Sequence, residues 1–99
     1  MEKCALITGG TKGIGKAVAF CLGKAGYDLV LTYASDPEKA EQTQDSLRQQ
    51  FGINVSVLQA DITKKESIDK IDAYLRENNL LLDAVVFNAG LTCRDSFED

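Results

Sequence analysis

Histidine is absent from these 99 residues, proline occurs once and cysteine three times. Without histidine, and with Cys4, Cys21 and Cys93 scattered along the chain, there is no metal-ligand pattern and no bound metal is expected. An odd number of thiols, one of them inside an apolar run, argues against a disulfide framework and for reduced cysteines. No run of about 18 apolar residues is available to cross a bilayer. Met1-Glu2-Lys3 leads straight into a strand pattern and not into a signal peptide. The expectation is a cytoplasmic protein with no membrane partner. Eleven basic residues face fifteen acidic ones, for a net charge of -4, and the lysines are dispersed. A nucleic-acid partner is therefore not supported. What remains is 44% hydrophobic and 26% charged, the balance of one ordinary globular domain.

The most informative stretch is Thr8-Gly9-Gly10-Thr11-Lys12-Gly13-Ile14-Gly15. It follows the apolar run Cys4-Ala5-Leu6-Ile7 and opens a helical pattern near Ile14, so it reads as a strand-to-helix turn. Glycine lets the backbone leave the strand in conformations closed to other residues, and its missing Cβ lets a ligand lie on the peptide units. The next helix aims its unpaired N–H groups and positive dipole end at that ligand, which suits a phosphate.

The remaining elements follow from periodicity. Residues 3–8 form a strand apolar enough to be covered on both faces. A helix is predicted over 13–25 with Ile14, Ala17, Val18, Cys21, Leu22 and Ala25 on its apolar stripe, while the small Gly15 and Ala19 allow close approach to the sheet. Gly26 stands where a left-handed cap is needed. A second strand covers 28–33. Asp36 caps and Pro37 opens a helix over 37–50, with Ala40, Gln44, Leu47 and Phe51 inward and Gly52 ending it. The alternation over 53–59 predicts an edge strand with one wet face. Thr63-Lys64-Lys65-Glu66 has the form of a capping box for a third helix buried along Ile68, Ile71, Tyr74 and Leu75. Residues 80–87 predict a fourth strand, covered on both faces and ending in Asn88-Ala89-Gly90.

The glycines fall as G-x-x-x-G-x-G after a threonine, and Thr8 to Gly15 resembles, residue for residue, the T-G-x-x-x-G-I-G turn of the short-chain dehydrogenase/reductase family. Asn88-Ala89-Gly90 is similar to that family's N-N-A-G motif, with Phe87 in place of the first asparagine. The resemblance implies an α/β, Rossmann-type three-layer fold with helices on both faces. Right-handed crossovers then give a parallel sheet in the order 3-2-1-4. It also implies a nicotinamide dinucleotide on Gly9, Thr11, Lys12, Gly13, Ile14 and Gly15, with its ribose near Tyr33, Ala34 and Ser35. The adenine would meet Asp61 and Ile62, and the strand end Asn88, Ala89 and Gly90 would close the site.

The strand before Tyr33 ends without the carboxylate that would hold a ribose 2'-hydroxyl and repel a 2'-phosphate. Lys12 can serve as a point charge for that phosphate. NADP is thus expected over NAD, although Lys12 also suits a solvated surface. Asp61 could instead cap its own turn, and Asn88 could tie strand ends together. Thr32-Tyr33-Ala34-Ser35, with Leu91, Thr92, Arg94 and Asp95, is similar to loops of bacterial 3-oxoacyl-(acyl-carrier-protein) reductases of fatty acid biosynthesis. That likeness implies an acyl-thioester or other small-molecule substrate and a homo-oligomer, a tetramer in the family's habit.

The family's catalytic Tyr-x-x-x-Lys is not in these residues, because Tyr27, Tyr33 and Tyr74 are followed four positions on by Leu31, Pro37 and Asn78. Ser96 comes too soon after Gly90 to be the family serine, so no catalytic residue is assigned. An apolar fourth strand left at the sheet edge would invite aggregation. The 99 residues are therefore expected to be the N-terminal cofactor-binding half of one domain. A non-catalytic dinucleotide-binding module, and a scaffold that binds no nucleotide, remain as alternatives.

Overall fold

A computed structural model describes residues 3–11, 13–61 and 64–87. Strands β1 (Lys3–Thr8), β2 (Tyr27–Tyr33), β3 (Val55–Gln59) and β4 (Ala84–Phe87) alternate with helices α1 (Gly13–Lys24), α2 (Pro37–Phe51) and α3 (Lys65–Glu77). The sheet has the order β3-β2-β1-β4 and every pairing is parallel, as expected from the pattern. The core lies on both sides of it. Ala5, Ile7, Leu29, Leu31 and Val55 pack with Ala19 of α1 and Leu47 of α2 on one face. Cys4, Leu6, Val30 and Ala60 pack with Ile71 of α3 on the other.

The apolar stripe expected on α1 is displaced. Ile14 is 70% exposed and Ala17 and Cys21 are exposed as well, while the inner line is Gly15, Ala19 and Gly23. Spacing by four puts these small residues on one ridge, and the absence of bulk there decides which face meets the sheet. A Cβ on Gly23 would stand 2.9 Å from a ring carbon of Phe51, which fills that gap and meets Phe20 edge-on with centroids 6.0 Å apart. Large side chains flank the ridge and do not sit on it.

Helix α2 starts and stops as its sequence dictates. The Asp36 carboxylate accepts from the Lys39 N–H at 3.1 Å, Pro37 takes the first turn, and Gly52 closes the helix with φ +67°. Its buried line is Ala40, Thr43 and Leu47, and Gln44 lies at the border with its amide donating to the Val55 carbonyl at 2.6 Å. Strand β3 is shorter than expected and lies at the edge, but its second face is half-covered. Ser56 accepts from the Tyr74 hydroxyl of α3 at 2.6 Å, and Leu58 packs against the same side.

Four expectations about α3 and β4 are corrected. The N-cap of α3 is Lys64, with no side-chain hydrogen bond, in place of a Thr63-led capping box; Thr63 itself lies outside the described residues. Ile68 is exposed, and the helix buries Ile71 against Cys4 and Leu6 of β1 and Val30 of β2. At the other end, Asn79 takes the left-handed conformation at φ +54°, the Asn79 N–H donates to the Arg76 carbonyl, and the Leu80 N–H donates to the Leu75 carbonyl. That is a Schellman closure with asparagine where glycine is usual. It uses residues 78–80 to end the helix, so the strand expected over 80–87 begins only at Ala84. Ala84 and Val86 pack on the α1 and α2 side, whereas Val85 and Phe87 are 46% and 71% exposed, so β4 is covered on one face only among the described residues.

Two measurements check this packing. The Thr43 hydroxyl is buried with no hydrogen-bond partner among the described residues. Thr43→Val keeps the shape and removes the desolvated group, so it should leave stability unchanged or raise it by about 1 kcal/mol in denaturant unfolding. A loss of comparable size would contradict the packing described. The second concerns the thiols: burial pushes the Cys4 thiol above its ordinary range, and the carboxylates of Asp28 and Asp83 push the same way. With the folded pKa raised, Cys4 contributes stability that is whole below the unfolded thiol's pKa and is lost as pH rises through the folded one. Mass mapping after brief thiol labelling at neutral pH should therefore find Cys21 modified well before Cys4.

Candidate functional site

Because all four strands run parallel, their carboxyl ends share one edge of the sheet, and that edge gathers the residues the sequence singles out. Leaving β1, the chain passes Gly9 at φ +66°, reaches the buried Thr11 and enters α1 through Gly13 at φ +54°. Both glycines occupy the left-handed region, where a side chain costs about 1 kcal/mol or more. Among the described residues a Cβ on Gly13 would meet nothing within 4 Å, so the backbone there faces open space among them. Gly10 differs: its Cβ would stand 2.8 Å from Leu31 and 3.3 Å from the Ile7 carbonyl oxygen. It is glycine because the turn folds back onto the sheet.

Threonines hold this turn in place. The Gly9 N–H donates to the Thr32 hydroxyl at 3.1 Å, and the Gly10 N–H donates to the Thr32 carbonyl at 3.2 Å. The Thr8 hydroxyl donates to the Val86 carbonyl at 3.4 Å, linking the start of the turn to β4. The first N–H groups of α1 have no carbonyl four residues back within the helix. Its first turn carries no acidic residue and its last turn carries Lys24, so the N-terminal positive end is not neutralised locally.

Next along the edge, Tyr33 is half-buried and Ala34 and Ser35 are exposed. The Ala60 N–H donates to the Tyr33 carbonyl at 2.9 Å and the Gln59 amide to the Ala34 carbonyl at 3.2 Å, which ties the end of β2 to that of β3. The first carboxylate after Ser35, Asp36, is engaged as the cap of α2. Asp61 follows β3 with its N–H donating to the Ser67 hydroxyl and its carbonyl accepting from the Lys64 N–H. Ala34 and Asp61 line one open depression of about 310 Å³, together with Lys64, Ser67 and Lys70. Lys70 spans it to reach the Gln59 carbonyl at 2.8 Å.

Gly9, Thr11, Gly13, Ile14 and Gly15 are thus brought to the same edge as Tyr33, Ala34, Ser35 and Asp61. Lys12, Ile62, Asn88, Ala89 and Gly90 lie outside the described residues, as do Leu91, Thr92, Arg94 and Asp95. Among the described residues no group of three or more His, Cys, Asp or Glu could hold a metal ion. No helix among them is long and apolar enough to cross a membrane. The sequence reading quoted Gly10 and Thr32 within longer motifs but gave neither a role of its own. Gly10 serves packing, and Thr32 is a hydroxyl in a strand otherwise suited to apolar side chains, the one signal that could have marked it.

Comparison with known proteins agrees with the fold. The family model for short chain dehydrogenases matches residues 3–99. The chain is 40% identical over 98 residues to the 3-oxoacyl-(acyl-carrier-protein) reductase FabG of Aggregatibacter actinomycetemcomitans, covering 98% of this chain and 40% of the relative. It is 41% identical over 88 residues to glucose 1-dehydrogenase 2 of Bacillus subtilis, covering 89% and 34%. The crystal structure of L-sorbose reductase from Gluconobacter frateurii, complexed with NADPH and L-sorbose, superposes with a TM-score of 0.87 at 29% identity, over 97% of this chain and 36% of that one. The chain therefore spans well under half the length of these relatives.

The two kinds of glycine can be separated by substitution. Gly10→Ala forces Leu31 and the Ile7 backbone apart and should cost about 1–3 kcal/mol in thermal or denaturant unfolding. Gly13→Ala meets no neighbour and should cost only about 1 kcal/mol of backbone strain. The reverse order would contradict the turn geometry.

Proposed function

The chain belongs to the short chain dehydrogenase family, and on that premise we propose that it is the N-terminal, cofactor-binding half of an NADP(H)-dependent oxidoreductase. The observation that carries this reading is the glycine turn between β1 and α1. Among the described residues it opens onto free space at the strand where the sheet order reverses, the position at which doubly wound sheets take dinucleotides. The backbone from Thr11 to Gly15 would hold the pyrophosphate. Tyr33, Ala34 and Ser35 would flank the adenosine ribose, Asp61 and Ile62 the adenine, and Asn88, Ala89 and Gly90 the nicotinamide side. A bound nicotinamide exchanges a hydride with a carbonyl or alcohol carbon.

Preference for NADP is supported by the absence of a carboxylate at the end of β2 and by Lys12 in the turn, where an ammonium can meet a 2'-phosphate. The NADPH of the L-sorbose reductase complex supports it from the side of a relative. For substrate we assign a 3-oxoacyl thioester, on the likeness to FabG and to the loops of such reductases; this would place the protein in fatty acid biosynthesis. A cytoplasmic homo-oligomer, a tetramer, completes the proposal on family habit, with the substrate and no nucleic acid as partner.

Titration of the full-length protein with NADPH and NADH tests the cofactor, and oxidation of NADPH with a 3-oxoacyl thioester or with a sugar tests the substrate. We expect tighter binding of NADPH and turnover with the thioester. Lys12→Ala should weaken NADPH about tenfold, or about 1.4 kcal/mol, and leave NADH unchanged. Failure of both nucleotides to bind the folded full-length chain would refute the assignment.

A further inference from the structure

We infer that Thr32 is the positioning residue of the phosphate turn, selecting which backbone N–H groups face the dinucleotide; the inference rests on the dinucleotide reading above. Thr32 is buried in β2 among Leu29, Val30 and Leu31, where a hydroxyl gains nothing from packing. Its hydroxyl and its carbonyl accept from Gly9 and Gly10 in succession. Both amides are thereby directed toward β2. Gly10 is locked there, because Leu31 and Ile7 close in on the space a Cβ would need.

The consequence is a division of labour within the turn. Gly9 and Gly10 anchor it, and a pyrophosphate is left to the N–H groups after Gly10, including those of the first turn of α1 at the exposed Gly13 and Ile14. Thr32 also directly precedes Tyr33, whose carbonyl is tied to Ala60. One buried residue therefore sets the phosphate end and the ribose end of the site relative to each other. Valine in its place would keep the volume and the carbonyl but remove the acceptor used by Gly9, whereas serine would retain that acceptor.

The test uses the full-length chain and NADPH titrations of the wild type, Thr32→Val, Thr32→Ser and Thr43→Val. The last alters a buried threonine of α2 that is not part of the turn. Thr32→Val should weaken NADPH about tenfold, the effect of one hydrogen bond replaced by a desolvated amide, with Thr32→Ser within about threefold of wild type. Thr43→Val should bind as the wild type does. Amide exchange on the wild type gives a reading that does not depend on a variant folding. Gly9 and Gly10 should be protected before nucleotide is added and unchanged after it, while Gly13 and Ile14 gain protection only on binding. Equal affinities for Thr32→Val and wild type, or Gly9 and Gly10 protected only by NADPH, would overturn the role of Thr32 and leave the dinucleotide reading standing. A wild type that binds no NADPH would overturn both.

Discussion

A strand buried on both faces has nowhere to send its backbone polar groups except to strands on either side, and β1 is such a strand. From Cys4 to Thr8 it is buried throughout, it pairs with β2 and with β4, and its residues enter both apolar clusters. An unpaired amide at that depth would cost several kcal/mol. The chain therefore holds to the parallel ladder until Thr8 and must leave the sheet abruptly. The turn that follows carries glycine at position 10 because the backbone there folds back over Leu31 and Ile7 before α1 can begin. The depth of β1 thus creates both the need for glycine and the exposed helix start beyond it.

The parts of this design legible in the sequence are those where one residue type answers one local demand. Asp36-Pro37 and Gly52 delimit α2 because a cap, a fixed φ and a left-handed residue are each supplied by few amino acids. The strand order followed from right-handed crossovers between alternating strands and helices, with which the apolar continuity of β1 and the edge character of β3 agree. Where several residues could meet a demand, the pattern misled. The stripe on α1 looked apolar along Ile14, Ala17 and Cys21, yet the helix lies on its smallest residues because they bring its axis nearest the sheet. Leu80 to Leu82 looked like strand, but the closure of α3 at Asn79 takes the first of them.

The candidate site was read in the same uneven way. Its glycines and the end of β2 were visible because they match a known turn, and the parallel sheet brings them together. Thr32 was not, since its role depends on a contact between residues more than twenty positions apart, which no local spacing announces. Gly10 was seen as one more glycine of a turn and not as the one that packs against the core.

The junction of β4 with β1 is held at its first residues. Asp83 meets Cys4 twice: its carboxylate accepts from the Cys4 N–H at 2.9 Å and its own N–H donates to the Cys4 carbonyl at 2.7 Å. A strand of only four residues, all of them apolar, could slide by one position along its neighbour and still find hydrogen bonds. Such a slip would turn Phe87 and Val85 into the space under α1 and α2 that now holds Ala84 and Val86, and would carry the Val86 carbonyl away from Thr8. The double grip of Asp83 works as an index pin: it costs little itself, but it leaves this strand one way to be threaded.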